Sequence, residues 1–235
     1  MDKHERHIRQ LINEVRDGQL PRRSFIAQMV GMGLSVPMAS TLLMSAGVAQ
    51  AQVTLPYKGT KRGGGGTLKL IYWQAAVHLN PHFAGGTKDQ DASRIFYEPL
   101  AEFDAEGNLS PVLAAEVPSR ANGSLAADGK SVVWKLKRGV QWHDGQPFTA
   151  DDVVFNWQYA TDPATAAVTA GNYEGLKIEK IDTHTVRVVF DKPRPFWPGQ
   201  YAGVFLIPRH LFAPYLGNKS REAPNNNRPV GTGPY

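Results

Sequence analysis

The stretch Trp142-His-Asp-Gly-Gln-Pro-Phe-Thr-Ala-Asp-Asp-Val-Val-Phe155 holds the densest set of local structural signals in this chain of 235 residues. Its Asp-Gly pair at 144–145 is typical of a tight turn. The run Thr149-Ala-Asp-Asp152 predicts a capping box, in which the threonine hydroxyl accepts from a free amide and the last aspartate reaches back to the cap. The stretch therefore predicts a turn followed by a helix that continues to about Tyr159.

Strand patterns flank this stretch on both sides. Upstream, Ser131–Lys137 alternates, with its apolar residues on one face and its lysines on the other. Downstream, Lys177–Ile181 and Thr185–Phe190 predict a hairpin around Asp182-Thr-His184. The five tryptophans are predicted to be mostly core residues.

The rest of the chain carries weaker signals, which come from apolar alternation, acidic helix starts and Pro or Gly at the ends of elements. They predict, in chain order, a strand over Thr67–Trp73, a turn at Asn80-Pro81, a helix over Asp89–Glu98, a strand over Leu100–Phe103, a loop over Pro193–Pro198, a short helix over Pro208–Phe212 with proline at its first position, and a polar loop over Gly217–Pro229.

The amino-terminal segment has the pattern of an export signal. Arg22 and Arg23, within Pro21-Arg-Arg-Ser-Phe-Ile26, are typical of the twin-arginine (Tat) pathway. An apolar run over 26–44 and the small-x-small site Ala49-Gln50-Ala51 follow. A membrane anchor is the alternative, but Gly, Ser and Pro interrupt the run, whereas a span needs about 20 strongly apolar residues.

Residues 1–51 are therefore predicted to be a signal peptide with a long polar leader, cleaved after Ala51. Its first 20 residues have the pattern of an amphipathic helix. The glycine-rich segment 52–66 is predicted to be a flexible linker. Residues 67–235 remain for the folded domain.

Composition narrows the function classes. Residues 52–235 carry 20 basic and 17 acidic side chains without a dense basic cluster, so no nucleic-acid partner is expected. The chain has no cysteine, which excludes thiol catalysis, cysteine-bound zinc and a lipid anchor on an amino-terminal cysteine. We expect an exported, soluble periplasmic protein that is not a lipoprotein and needs no cofactor.

Five segments carry a further pattern, and they are Leu79-Asn-Pro81, Ser93–Leu100, Trp134–Trp142, His143–Phe155 and Pro229–Tyr235. Together they resemble the amino-terminal part of a family 5 extracellular solute-binding protein, the periplasmic peptide-, dipeptide- or nickel-binding component of an ABC importer. The resemblance implies an α/β, periplasmic-binding-protein type II-like fold with two lobes that close on a ligand. This chain would supply part of lobe I and a small extra subdomain, as a truncated piece.

Partners are implied by the resemblance and, for the Tat translocase, by the pair Arg22 and Arg23. The ligand, a peptide or similar small solute, would lie extended between the lobes, and the acidic group that pairs with a peptide's amino terminus would come from the second lobe. An ABC permease and its ATPase subunits would receive the solute, and the Tat translocase would act during export.

Five residues are candidates for lining the ligand cleft. Gln74, Ala75, Ala76 and Val77 follow the predicted first strand, and ligands of open α/β sheets lie at the carboxyl ends of strands. Relatives carry polar or acidic residues at this strand exit, so a strict copy of their peptide-binding mode is not expected. Thr169, after the predicted helix, is the fifth candidate.

Gly231-Thr232-Gly233 resembles the crossing toward the other lobe, and its glycines permit the dihedral changes of a closing hinge. Ordinary turn geometry is the alternative for this segment and for the five lining candidates.

Two groups of residues invite a chemical interpretation that simpler structural roles explain better. His143 and Asp144, with acidic residues at 151 and 152, suggest acid–base chemistry, but a turn and a helix start account for them. His78 and His82 have the spacing of a helical metal site, but Pro81 disfavours a helix there. No metal ligands and no catalytic residues are predicted.

Three functions remain open. The first is a binding module that captures a peptide or similar solute, with nickel- or other-solute-binding members of the family as a variant. The second is a Tat-exported peptide hydrolase, although no Gly-x-Ser-x-Gly, Walker loop or His-Glu-x-x-His motif is present. The third, a cytoplasmic regulator, would need a DNA-binding helix pair where residues 1–51 offer a signal.

Overall fold

The computed structural model describes residues 3–48, 67 and 69–235. The predicted cleavage site after Ala51 and the predicted linker 52–66 lie outside the described residues. The α-helices are α1 (Lys3–Arg16), α2 (Arg22–Gly31), α3 (Val36–Ser45), α4 (Thr87–Ser93), α5 (Ala150–Thr161) and α6 (Arg209–Phe212), and the strands are β1 (Ala101–Phe103), β2 (Leu109–Pro111), β3 (Ser131–Lys135), β4 (Leu176–Asp182) and β5 (Thr185–Phe190).

Short helical turns fill several connections. Pro198–Ala202 is a π-helical turn, and the 3₁₀ turns are Pro81–Phe83, Ala170–Tyr173, Ala213–Tyr215, Gly217–Glu222 and Pro224–Asn226.

The main sheet is antiparallel with the strand order β3-β5-β4, and β1 and β2 form a separate hairpin. Trp134 on β3 lies opposite Val186 on β5, and Ile178 on β4 lies opposite Val188. All four side chains are buried. Because side chains alternate between the two faces of a strand, the apolar positions of the three strands form one continuous core surface. The predicted strand and hairpin are confirmed, with small shifts at their ends.

The aromatic core is built around Trp134. Its indole Nε1 donates to the Tyr201 hydroxyl at 2.8 Å, and its ring meets Trp197 edge to face with centroids 5.6 Å apart. Trp142 is buried as well, Trp157 is partly buried, and Trp73 is exposed.

The predicted capping box of α5 is confirmed. The Thr149 hydroxyl accepts from the Asp151 amide at 3.3 Å, and the Thr149 amide donates to Asp152 Oδ2 at 2.9 Å. The other oxygen of Asp152 accepts from the Arg209 amide at 2.9 Å. A single carboxylate therefore starts α5 and fixes the start of α6.

The predicted strand over Thr67–Trp73 is wrong for the residues described. None of 67 and 69–73 lies in a strand, and Leu70, Ile71 and Trp73 are 67%, 99% and 76% exposed. A strand needs a neighbour to complete its main-chain hydrogen bonds, and no described strand pairs with this segment.

Three boundary predictions also need correction. The helix predicted over Asp89–Glu98 ends at Ser93, and the Phe96 carbonyl beyond it accepts from the Gly233 amide instead of continuing the helix. Pro208 precedes α6 as its N-cap, because its ψ of 123° is extended. The loop predicted over Gly217–Pro229 contains two 3₁₀ turns.

Helices α1, α2 and α3 pack together and against the rest of the chain. Their apolar cluster consists of Leu11, Phe25, Met29, Ala39 and Leu43, which agrees with an amphipathic α1. No helix of the described segments combines the length and apolarity needed to cross a membrane.

Helix α3 contacts the rest of the chain directly. Met44 joins the main core, and the Ser45 hydroxyl donates to the Pro195 carbonyl at 2.6 Å. Arg22 is half-buried near Asp104, and this burial lowers its pKa, whereas Arg23 is exposed.

Candidate functional site

The four predicted lining residues, Gln74–Val77, lie on the surface just before the Asn80 turn, and all four are exposed. Asp89 on α4 anchors the end of this segment, because its Oδ1 accepts from the amides of Val77 at 2.7 Å and His78 at 3.3 Å. Since no described strand precedes Gln74–Val77, position at a strand end does not support their role, which stays a prediction from the family resemblance and agrees with their surface exposure.

The charge of Asp89 is favoured by its donors. Lys88 Nζ lies 2.7 Å from Asp89 Oδ1. Burial opposes ionisation of Asp89, but the hydrogen bonds from Lys88 and from the two amides outweigh it and lower the pKa of the carboxyl group. An ionised Asp89 therefore fixes the main chain at the end of the candidate lining.

Thr169, the fifth lining candidate, is engaged inward. Its hydroxyl lies 2.5 Å from His82 Nδ1, and His82 Nε2 lies 2.8 Å from Asn156 Oδ1. Asn156 Oδ1 also accepts from the Ile207 amide, while Asn156 Nδ2 donates to the Ile207 carbonyl. The asparagine oxygen is thus an acceptor, so the ring proton of His82 lies on Nε2 and the Thr169 hydroxyl donates to Nδ1.

A second part of the same buried network closes around Asn80. Its side-chain oxygen accepts from the His82 amide at 2.9 Å, and its nitrogen donates to Asn226 Oδ1 at 2.8 Å. Asn226 Nδ2 in turn donates to the Ser220 carbonyl at 2.9 Å. The Asn-Pro turn, the loop at Thr169 and the turns after residue 217 are therefore fixed to one another beneath the exposed lining segment.

His82 is a structural residue here. Burial lowers its pKa to about 4, against the Asn156 hydrogen bond, so the ring is neutral at neutral pH. Both ring nitrogens have partners, which leaves none for a metal. Within the described part of the chain, no group of three or more His, Cys, Asp or Glu side chains is placed to hold a metal ion.

The predicted hinge, Gly231–Gly233, lies between two backbone segments, and we call it the crossing segment. On one side, the Gly233 amide donates to the Phe96 carbonyl at 2.8 Å. On the other, the His143 amide donates to the Gly231 carbonyl at 2.9 Å. The His143 ring adds two contacts, from the Gly231 amide to Nδ1 at 3.2 Å and from Nε2 to the Gly233 carbonyl at 2.8 Å.

The two glycines are required by close packing in this structure. A Cβ added to Gly231 would lie 1.8 Å from the Phe96 carbonyl oxygen, and one added to Gly233 would lie 2.7 Å from the same atom. Neither glycine has a positive φ. A side chain at either position would force the crossing segment away from residues 95–97.

The carboxylates near His143 serve separate structural contacts. Asp144 Oδ2 lies 2.6 Å from His210 Nε2, and Asp151 Oδ2 lies 2.7 Å from Lys180 Nζ. Asp152 caps α5. The structure does not bring them together as a catalytic pair.

Sequence reasoning missed the long-range partners of the site. His143 and Gly231 are 88 positions apart, and His82 and Thr169 are 87 apart. No local pattern indicates such contacts. One signal was present in the sequence: the crossing segment and the stretch that begins at His143 are both among the five segments that resemble family 5.

Comparison with known families places the chain. The model of the bacterial extracellular solute-binding proteins, family 5, matches residues 108–235, which is more than half of the chain. The match includes the main sheet, α5 and the crossing segment.

Individual relatives agree with this match. The periplasmic oligopeptide-binding protein OppA of Escherichia coli K12 is 29% identical over 76% of this chain and 33% of its own length. The glutathione-binding protein GsiB of Escherichia coli O157:H7 is 29% identical over 67% of this chain and 29% of its own length. The chain thus spans about a third of these relatives.

A solved structure shows the same fold. NikZ from Campylobacter jejuni, in complex with Ni(L-His), superposes with a TM-score of 0.59 at 27% identity and covers 69% of this chain and 31% of NikZ. The mixed α/β architecture therefore corresponds to part of a periplasmic-binding-protein type II-like fold, as the resemblance implied.

Proposed function

Because the chain belongs to the bacterial extracellular solute-binding proteins of family 5, we propose that it is part of the substrate-binding component of an ABC importer. It captures oligopeptides or dipeptides in the periplasm and delivers them to a membrane permease and its ATPase subunits. The observation that carries this proposal is the family match over residues 108–235, together with the relatives' binding functions.

The mechanism is closure of two lobes on an extended solute. A cleft protein desolvates its ligand between two walls, and this chain, at about a third of the relatives' length, supplies one of them. The exposed Gln74–Val77 segment offers main-chain groups to an extended peptide, as in strand addition. The crossing segment Gly231–Gly233 joins the walls, and the solute stabilises the closed state because it contacts both.

Calorimetry on two chains of different length, each with a mixed peptide pool, tests the binding function. Residues 52–235 are expected to bind weakly or not at all, since one wall leaves the ordering cost of the peptide uncompensated. A chain extended to the relatives' length is expected to bind and to gain thermal stability from peptide. Tight stoichiometric binding by 52–235 would contradict the two-wall mechanism.

Other solutes and other activities are separate outcomes of the same assay. The similarity to NikZ motivates adding Ni(L-His) to the panel, and binding of that complex instead of peptide would assign the nickel-binding variant. Cleavage of the peptides by the short or the extended chain would favour the exported hydrolase.

Export is tested through the arginine pair. Arg22→Lys combined with Arg23→Lys keeps the charge but removes the planar guanidinium groups. The precursor is then expected to stay in the cytoplasm on fractionation. Normal periplasmic yield from the double variant would contradict Tat export, and Arg9→Lys with Arg16→Lys serves as a matched control in the same leader.

A further inference from the structure

The His143 ring contacts the crossing segment as a peptide group would. It offers one acceptor, Nδ1, to the Gly231 amide at 3.2 Å and one donor, Nε2, to the Gly233 carbonyl at 2.8 Å. The carbonyl can only accept and the amide can only donate, so both contacts require a neutral ring with its proton on Nε2. The geometry therefore selects one protonation state and one tautomer.

We propose that the His143 ring is a latch that positions the crossing segment Gly231–Gly233, and that it holds only while the ring is neutral. The two main-chain bonds, from the His143 amide and to the Phe96 carbonyl, hold the segment at either charge. The ring bonds are additional and reversible. This role rests on the proposed function, because the position of the crossing segment affects solute binding only if it joins two lobes.

Acid releases the latch for a simple reason. A second proton on the ring occupies Nδ1, which then faces the Gly231 N–H donor to donor. The hydrogen bond is lost, and the two N–H dipoles repel each other. His143 is exposed, so solvent protons reach the ring directly.

Other ionisable groups surround the latch and define the controls. Asp144 follows His143 and pairs with His210 of α6 at 2.6 Å. The carboxyl group of Asp152 on α5 also interacts electrostatically with His210. Across the crossing segment, the charged residues nearest Phe96 in sequence are Arg94, which pairs with Glu102, and Glu98. Of the groups named in this paragraph, His143 is the one whose side chain is hydrogen-bonded to both Gly231 and Gly233.

Amide hydrogen exchange of residues 1–235 tests the latch without any solute. Nitrogen-15 spectra give the charge of the His143 ring at pH 7 and at pH 5. The Gly231 amide is expected to be protected while the ring is neutral, and its protection factor should fall at least roughly fivefold when the ring is protonated, as expected for the loss of one hydrogen bond. The Gly233 amide, bonded to the Phe96 carbonyl, is the internal reference and should change little. In the neutral ring, the same spectra should show the proton on Nε2.

Three substitutions test the contacts of the His143 ring. His143→Ala should remove the extra protection of Gly231 at both pH values. His143→Asn places an amide oxygen near the Nδ1 position, so Gly231 should stay protected at pH 7 and at pH 5. His210→Ala leaves the ring in place and should retain the acid response.

Defined outcomes overturn the proposal. A proton on Nδ1 at neutral pH, unchanged Gly231 protection in His143→Ala, or an acid response that disappears in His210→Ala would each do so. Because these readouts need no ligand, a full-length protein that binds no solute would refute the proposed function and leave the latch result standing on its own data.

Discussion

Among the segments with strand-like sequences, Ser131–Lys135 and Thr67–Trp73 have opposite outcomes: the first forms a strand, and the described residues of the second do not. Ser131–Lys135 becomes β3, with Trp134 fully buried and β5 hydrogen-bonded beside it. In the segment Thr67–Trp73, by contrast, Ile71 is 99% exposed and no described strand pairs with it. The difference shows that β propensity acts through neighbours, since a pattern of apolar residues provides surface but not partners.

The largest expected effect comes from replacing a tryptophan by alanine, and the same change can be made in each of the two segments. Trp134→Ala removes a buried indole and its bond to Tyr201, and should cost about 3–5 kcal/mol of unfolding free energy. Trp73→Ala should cost less than about 0.5 kcal/mol, because the side chain is 76% exposed. Urea denaturation followed by circular dichroism measures both.

Equal losses in the two variants would show that the exposed segment is packed in solution and would break the comparison. If Trp134→Ala does not fold, Trp134→Phe gives a smaller, measurable loss at the same site.

The next largest effect is the pH dependence of stability that arises from His82, in the buried network beneath the exposed segment. The unfolded chain binds a proton at His82 near the ordinary value of 6.5, whereas the folded chain excludes it until the pKa of about 4. Stability should therefore fall as the pH drops from about 6.5 to about 4, by up to about 3 kcal/mol, and this contribution should level off below.

Urea midpoints across this range, for the parent and for His82→Asn, measure the contribution. The variant is expected to be less stable at pH 7, since the ring contacts of His82 are lost, but it should lack the His82 part of the slope. An identical slope in both proteins would mean that His82 is not buried as the structure has it.

A smaller effect tests a purely local signal. Thr149→Ala removes the hydroxyl that caps α5 and should cost about 1 kcal/mol. Thr161→Ala, at the other end of the same helix, removes an exposed hydroxyl bonded to the Trp157 carbonyl and should cost less. Thermal melts compare the two, and a Thr149 variant as stable as the Thr161 variant would contradict the role of the cap.

The smallest effect is expected inside the exposed segment. The Tyr72 hydroxyl bonds to Asp91 in full contact with water, and this pairing raises the pKa of Tyr72. Tyr72→Phe should leave the thermal midpoint unchanged, because surface hydrogen bonds exchange readily with water. A lower midpoint in Tyr72→Phe but not in Asp91→Asn would show that the hydroxyl has another partner.

Sequence predictions were correct where the interacting residues lie close together along the chain. The cap of α5 and the β4–β5 hairpin were predicted correctly, because each is complete within a few residues. The prediction of a strand over 67–73 was wrong because an apolar pattern does not specify a neighbouring strand to pair with. The fold class was reached through resemblance, since the local signals alone predict elements and not their assembly.

The candidate site shows the same limit. The lining residues and the crossing segment were proposed from position and resemblance, and their roles stay predictions. The inward hydrogen bond of Thr169 and the contacts of His143 depend on partners nearly 90 positions away. No periodicity or motif in the sequence encodes such pairs.

If residues 1–51 act as the proposed export signal, the half-buried position of Arg22 makes receptor binding compete with the packing of this residue. A receptor that binds the whole guanidinium group would bind it while helix α2 is separated from the surface near Asp104. The apparent dissociation constant for the folded chain would equal the constant for an accessible Arg22 divided by the fraction of molecules in which Arg22 is accessible. A chain that has not yet folded would then be bound more tightly than a folded one, and the proposed signal would report the folding state of the chain.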